Sequence, residues 1–197
     1  MKIGIDMDDV LANFQKRFVK LLNELYGKTP LDAEPIDWDW TNCNVTPEEM
    51  KNGWIEASKT TNLWLELEPL PALDMEAKFL LSKLDLVHDL FFVTNRFITP
   101  GLSPTKQTQL WVRENTYLPM PNVMLAKDKG PMASVLELEA FIDDRPKNCL
   151  DVLAARPQCR VFLCDSSHNQ TFNGGERIPR VASLKEFSKI ILENTNV

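Results

Sequence analysis

Lys2-Ile-Gly-Ile-Asp-Met-Asp-Asp-Val10 decides how the rest of the chain is read. Ile3, Gly4 and Ile5 predict a short buried strand, and the carboxylates Asp6, Asp8 and Asp9 follow at once. Open α/β sheets bind ligands beyond the carboxyl ends of their strands, so carboxylates placed there are candidates for chemistry. Asp6 and Asp8 lie two apart, which in extended backbone sends both side chains to one face. Two carboxylates would then reach one reacting atom or one hard cation. A solvated acidic turn or a helix cap would use the same residues, so the reading depends on what lies downstream.

The bulk of the chain narrows the choices. Its 197 residues suit one domain, or a core with a sizeable insertion. A hydrophobic content of 44% with 25% charged residues is that of a globular protein in water. The net charge of −6 argues against a general nucleic-acid-binding surface, which needs a basic stripe. A small phosphorylated substrate stays compatible if positive charge is local, as a metal ion with one or two lysines would be. Cys43, Cys149, Cys159 and Cys164 form no C-x-x-C pair and have no histidine at zinc spacing, so reduced thiols in a cytoplasmic protein are expected. No basic-then-apolar leader opens the sequence, and apolar runs such as Leu90–Val93 are too short to span a bilayer.

Val10, Leu11, Phe14, Phe18, Leu21, Leu22 and Leu25 recur at helical spacing, and Gly27 and Pro30 close that helix. Residues 28–72 hold Trp38, Trp40, Trp54 and Trp64 among acidic and turn-forming residues. With no strand-like alternation, they predict an irregular, mainly helical insertion. Thr46-Pro-Glu-Glu49 within it has the form of a capped helix start. The remainder alternates. A helix carries Leu73, Ala77, Leu80, Leu81 and Leu84 with Asp74 as its cap; a strand Leu90–Thr94 ends at Thr94-Asn95-Arg96. A helix starts at Ser103-Pro104, and a strand Val123–Leu125 leads into Lys127-Asp-Lys-Gly130. A short helix around Met132–Leu138 precedes a strand Ala140–Ile142, which ends in Asp143-Asp-Arg-Pro146. Val161–Cys164 is a further strand, and Ser183 with Glu186 predicts a capping box for the last helix. Such alternation implies an α/β protein with a parallel sheet and helices on both faces.

Four successive strands thus end in groups that phosphoryl transfer needs: Asp6 and Asp8, Thr94 and Asn95, Lys127 and Lys129, Asp143 and Asp144. Each alone reads as easily as a turn, a solvated loop or a cap. In a parallel sheet all four ends lie on one side, and their order is hard to obtain by chance.

In this order the motifs resemble the haloacid dehalogenase-like phosphatase superfamily, and within it most nearly the 5′(3′)-deoxyribonucleotidase family. The resemblance covers most of the chain. It includes Asp6-Met-Asp-Asp-Val-Leu-Ala-Asn-Phe14, the return segment Leu67-Glu-Pro-Leu-Pro71 and the region from Asn169 to Arg180-Val. It implies a Rossmann-like core of residues 1–14 and 73–197, with a small helical cap of residues 15–72 inserted after the first strand. It further implies Asp6 as the nucleophile, forming an aspartyl-phosphate, and Asp8 as general acid and then base. Mg2+ would be held by Asp6, the main-chain carbonyl of Asp8, and Asp143 or Asp144. Thr94, the Asn95 amide and a lysine would bind the phosphoryl oxygens; Lys129 is preferred because Lys127-Asp-Lys129 resembles the family's Arg-Asp-Lys. Asp9 stands where many of these nucleotidases carry Gly, at a position expected to offer a main-chain amide.

Phe14 falls on the family's base-stacking position, and Trp38 or Trp40 is expected to add a second aromatic wall. Trp54 and Trp64 are expected to be subdomain core. Arg96 is a candidate substrate contact, with pairing to a nearby carboxylate as its alternative; His88 and His168 are set aside. The implied activity is Mg2+-dependent hydrolysis of (deoxy)nucleoside monophosphates. A sugar phosphate or other small metabolite is the alternative substrate, and an inactive phosphate-binding relative the alternative in kind. Expected partners are the small phosphorylated substrate and, as an open matter, a second copy in a homodimer, with no nucleic-acid polymer and no membrane.

Overall fold

The computed structural model describes residues 1–27, 35–36 and 40–194. Six parallel strands stand in the order β3-β2-β1-β4-β5-β6. They are β1 (Lys2–Ile5), β2 (Asp89–Thr94), β3 (Asn122–Leu125), β4 (Ala140–Asp143), β5 (Arg160–Cys164) and β6 (Arg180–Val181). Chain order runs outward one way from β1 to β3, then resumes on the other side of β1 with β4. The reversal point therefore lies between β1 and β4, where sheets of this kind open a crevice at the carboxyl ends of their strands.

Register ties the centre together. Ile3 pairs with Leu90 on one side and Ala140 on the other, and Ile5 with Phe92 and Ile142. Alternate residues feed two cores. Ile3, Ile5, Phe92 and Ile142 meet the layer of α3 (Met75–Val87), α4 (Pro104–Asn115) and α7 (Leu184–Glu193). Val93, Phe141 and Leu163 meet α5 (Lys129–Leu136) and α6 (Pro146–Ala155). Each large apolar side chain so buried stabilises the fold by roughly 1.5–3 kcal/mol. Gly4 has no room for a side chain, since an added Cβ would stand 2.5 Å from Leu138 Cδ1 and 2.7 Å from Phe141 Cδ2.

The segment after β1 folds as a helical layer. Asn13 caps α1 (Phe14–Tyr26), accepting from the Lys16 amide at 2.9 Å. Val10 and Leu11, expected inside that helix, precede it in a tight turn, where the amides of Leu11 and Ala12 both donate to the Met7 carbonyl. Gly27 ends α1 in the left-handed region, as its lack of a Cβ allows. In α2 (Pro47–Lys59) the expected capping box is complete: Thr46 Oγ1 accepts from the Glu49 amide, and Glu49 Oε2 from the Thr46 amide. Gly53 brings α2 onto α1, because a Cβ there would meet Leu22 at 2.7 Å. The way out of and the way back into the sheet run side by side. The Asn13 amide donates to Glu68 O and the Leu70 amide to Leu11 O, while Trp111 Nε1 holds Leu67 O at 2.7 Å.

Several elements differ from expectation. α5 starts at Lys129 rather than near Met132, because Pro131 sits in its first turn, where a missing amide costs nothing. α6 and the two-residue β6 were not anticipated. Ser183 is the N-cap of α7 but makes no side-chain cap bond; Glu186 accepts instead from the Ala182 amide, at 2.6 Å. No helix among the described residues is long and apolar enough to cross a membrane.

Candidate active site

β1 stops at Ile5, although the Asp6 amide still donates to Ile142 O at 3.0 Å, and Asp6 and Asp8 both line one cleft of about 290 Å3. Thr94 and Asn95 enter it from the end of β2, Lys127 from the loop after β3, Lys129 from the start of α5, and Arg145 and Asn148 from the start of α6. The topology thus delivers the four strand ends to one place.

Of the two lysines, Lys129 is the one built into the site. Its Nζ lies 2.5 Å from Asp6 Oδ1 and 2.5 Å from Asp143 Oδ2, and its side chain is 3% exposed. Burial works against the ammonium, but Asp143 and Asp6 outweigh it and hold the group above its ordinary value. Lys127 lines the cleft as an exposed side chain. Asp143 is fully engaged: besides Lys129, it accepts from the Arg145 amide (2.8 Å) and from Asn148 Nδ2 (3.0 and 3.1 Å). Asp144, also fully buried, completes no hydrogen bond through either oxygen.

Burial pushes the Asp6 carboxyl well above the usual carboxylate range; Lys129 pulls against this, while Asp143, Asp144 and Asp8 push the same way. Burial likewise raises Asp9, reinforced by Asp144 and Asp8, and raises Asp143 against the pull of Lys129. So much negative charge in a dry place calls for a cation. The ligand atoms of Asp6, Asp143 and Asp144 lie within 4.8 Å of one another. An all-oxygen set with an orphaned buried oxygen fits a hard divalent ion such as Mg2+. Because Asp143 is already saturated, Asp6 and Asp144 are the carboxylates with capacity to hold it.

Asp9 adopts φ +59°, the left-handed conformation that favours the glycine found there in many nucleotidases. Its amide donates to Ala12 O at 2.8 Å, so it closes the turn instead of facing a ligand.

Above the polar floor stand Phe14, Trp54, Trp64 and Phe97. Trp54 stacks on Phe14 with ring centroids 5.4 Å apart and planes 15° apart; Trp64 stacks on Phe14 from 5.7 Å. Phe14 therefore sits where expected, but the companion rings are Trp54 and Trp64, read from the sequence as core. Trp64 is both, being 2% exposed and a lining residue. Trp40 does not line this cleft. It meets Phe18 edge-on at 5.5 Å and borders a smaller neighbouring cavity with Asp9 and His168. Trp38 lies outside the described residues. Arg96, the candidate substrate contact, takes its alternative role: its side chain is fully buried, with Nη2 2.7 Å from Asp8 Oδ1 and Nε 3.4 Å from Asp8 Oδ2. Thr108 Oγ1 accepts from its Nη1 at 2.9 Å, and the Trp64 ring lies beneath it. Thr94 Oγ1 stands 3.4 Å from the same carboxylate.

Sequence reasoning passed over Arg145, Asn148, Phe97 and His168. The first two follow the acidic pair directly, which is the one signal that could have found them. His168 Nε2 lies 2.7 Å from Asp144 Oδ2.

Comparison with known proteins bears on the family and the fold. A family model described as 5′ nucleotidase, deoxy (Pyrimidine), cytosolic type C protein matches residues 1–196. A 5′(3′)-deoxyribonucleotidase of Clostridium acetobutylicum is 24% identical over 172 residues, covering 87% of this chain and 85% of that protein. Among solved structures, a haloacid dehalogenase-like family hydrolase from Streptococcus pneumoniae superposes with a TM-score of 0.60 at 13% identity, covering 96% of this chain and 97% of the other. The HAD-hydrolase YfnB from Bacillus subtilis, solved bound to magnesium, gives 0.57 at 16% identity over 96% and 97%. A D,D-heptose 1,7-bisphosphate phosphatase from Burkholderia thailandensis gives 0.55 at 13% over 97% of each. These similarities carry the fold.

Proposed function

The chain belongs to the 5′ nucleotidase, deoxy (pyrimidine), cytosolic type C family of haloacid dehalogenase-like hydrolases, and we propose that it hydrolyses (deoxy)nucleoside monophosphates through an aspartyl-phosphate. A phosphatase needs a nucleophile, an acid, and positive charge around the phosphoryl group. In our reading Asp6 attacks phosphorus, and the bond from phosphorus to the leaving oxygen breaks as Asp8 gives that oxygen its proton. Asp8 then takes a proton from the water that attacks the intermediate, and the phosphorus–Asp6 bond breaks. Arg96 and Thr94 hold the Asp8 carboxylate at the cleft, while Thr94, Asn95 and Lys129 receive the phosphoryl oxygens. Asp6 and Asp144, with the Asp8 carbonyl, would hold Mg2+, whose charge would offset that of the phosphate as it nears Asp6.

The observation that carries the nucleotide reading is the aromatic wall of Phe14, Trp54, Trp64 and Phe97 on the cleft that contains Asp6 and Asp8. Several rings lining one cleft suit a planar base better than a small sugar phosphate. Residues 15–72 would act as the cap, closing over the substrate and excluding water. The substrate is small, and a net charge of −6 suits no nucleic-acid polymer. All four cysteines are free thiols, in keeping with a cytoplasmic setting. A phosphate-release screen across 5′- and 3′-(deoxy)nucleotides and sugar phosphates, with Mg2+ or with EDTA, tests the proposal. Nucleotides should dominate only with Mg2+, and Asp6→Asn should be inactive. Sugar phosphates dominating would reverse the substrate assignment, and near-normal release by Asp6→Asn would exclude the aspartyl-phosphate.

A further inference from the structure

We propose that His168 is the positioning residue of Asp144, the side chain that fixes one oxygen of this carboxylate so that the other is offered to the cation. The inference rests on the reading of Asp6 and Asp144 as cation ligands, and it concerns a residue two strands removed from the nucleophile.

The two members of the acidic pair differ in their surroundings. Asp143 is a satisfied structural carboxylate, with Lys129, the Arg145 amide and Asn148 on its two oxygens. Asp144 is as deeply buried, yet neither of its oxygens completes a hydrogen bond; His168 Nε2 approaches Oδ2 to 2.7 Å, within ion-pair range, and Oδ1 has no such neighbour. Leaving a buried carboxylate oxygen bare is costly. A carboxylate with a ring nitrogen against one oxygen and the other left open is what a cation ligand requires, because the neighbour on one oxygen limits the direction of the other.

His168 is itself fixed for this task. It lies in a short 3-10 helix, Ser167–Asn169, directly after β5, and Ser166 Oγ stands 2.9 Å from its Nδ1. With one ring nitrogen beside Ser166, the other lies 2.7 Å from Asp144 Oδ2. The next residue grips the same target by its main chain: Asn169 Nδ2 donates to Asp144 O at 2.7 Å and to Cys164 O at 2.8 Å. Arg180 locks that amide, donating from Nη1 to Asn169 Oδ1 and from Nη2 to Asn169 O. One turn after β5 therefore holds Asp144 by both backbone and side chain. Lys129 is committed to Asp6 and Asp143, and Arg96 to Asp8, so neither cation does this work.

A rival arrangement uses the same atoms. Asp9, Asp144 and His168 offer ligand atoms within 4.8 Å of one another, so His168 could itself bind a second ion. The two readings differ in stoichiometry.

The test titrates metal-free protein with Mn2+, a hard-ion stand-in for Mg2+, followed by electron paramagnetic resonance, with thermal melts in parallel. One Mn2+ per chain is expected, abolished in Asp144→Asn. His168→Ala should weaken it by about 10–100-fold, the usual loss when a partner of a metal ligand is removed. His168→Gln, whose terminal amide can donate to the same oxygen, should recover most of that loss, which a merely structural role would not predict. Equal Mn2+ affinity in wild type, His168→Ala and His168→Gln would overturn the positioning role alone. Two ions per chain, with one lost in His168→Ala, would make His168 a ligand and overturn it as well. No Mn2+ binding by wild type would overturn the cation reading beneath it.

Discussion

Replacing Trp54 by alanine separates base recognition from chemistry more cleanly than any other change to the aromatic wall. Phe14 is 7% exposed and stacked against Phe18, Trp54 and Trp64, so its removal would loosen the whole cluster. Trp54 is 39% exposed and presents a face to the cleft. Truncating a fully buried aromatic costs ~3–5 kcal/mol, and the covered three-fifths of Trp54 scales that to ~2–3 kcal/mol. Stacking on a base is worth ~1–3 kcal/mol, so KM for a nucleoside monophosphate should rise about 5- to 150-fold. A phosphate ester without a base uses the same Asp6, Asp8 and Lys129 and should change only slightly. Steady-state phosphate release on both substrates, with urea denaturation in parallel, gives the comparison. Equal losses on both, or an unchanged nucleotide KM in a folded variant, would refute base stacking on Trp54.

Three further outcomes follow from the site. Asp8→Asn should lose ~10²-fold or more on nucleotides, the scale of a missing general acid. In the first turnover, before the base role of Asp8 is needed, it should lose less on p-nitrophenyl phosphate, whose leaving group needs no proton; equal first-turnover losses would place the acid elsewhere. Arg96→Gln leaves Asp8 without its buried partner, and breaking such a pair costs up to ~3–5 kcal/mol, reduced here because Asp8 opens to the cleft. Chemical denaturation that shows no loss would contradict this pairing. The raised carboxyls of Asp6, Asp9 and Asp143 bind protons more tightly folded than unfolded. Their contribution is thus fully present below the ordinary carboxylate value and lost as pH rises through the folded one. Metal-free protein should therefore shed stability with rising pH from this source. The gain in Tm on adding Mg2+ should grow as pH rises above the ordinary carboxylate range, and a gain that shrinks with rising pH would contradict the assignment.

The strand ends could be read directly because Asp6, Thr94 and Asp143 each follow a short apolar run, and a parallel sheet sends such ends to one side. Local signals also sufficed for Thr46, Asp74 and Ser103, whose caps lie within three residues of their partners. What escaped was set by contacts between distant parts of the chain. Asp8 and Arg96 are 88 residues apart, and nothing in either neighbourhood says that they pair. His168 looks like a loop residue until β5 brings it to Asp144. Trp54 and Trp64 have the spacing of core residues, and only their stacking on Phe14 turns them toward the cleft. α6 was hidden by its opening, since Arg145-Pro-Lys-Asn reads as a turn until Asn148 is seen bonding back to Asp143.

The placement of β1 between β2 and β4 has a consequence for biosynthesis. Ile3 pairs with Ala140, and Lys2 with Glu139 at a separation of 137 residues. At ~5–20 residues per second, a ribosome needs roughly 7–27 s between making the two. Throughout that interval the strand that leads into Asp6 has one edge unclaimed, and its apolar residues wait beside the nascent α1 and α2. The nucleophile is therefore made early and seated late, and a pause or truncation before residue 140 leaves a chain with an open central strand, the sort of species that chaperones bind.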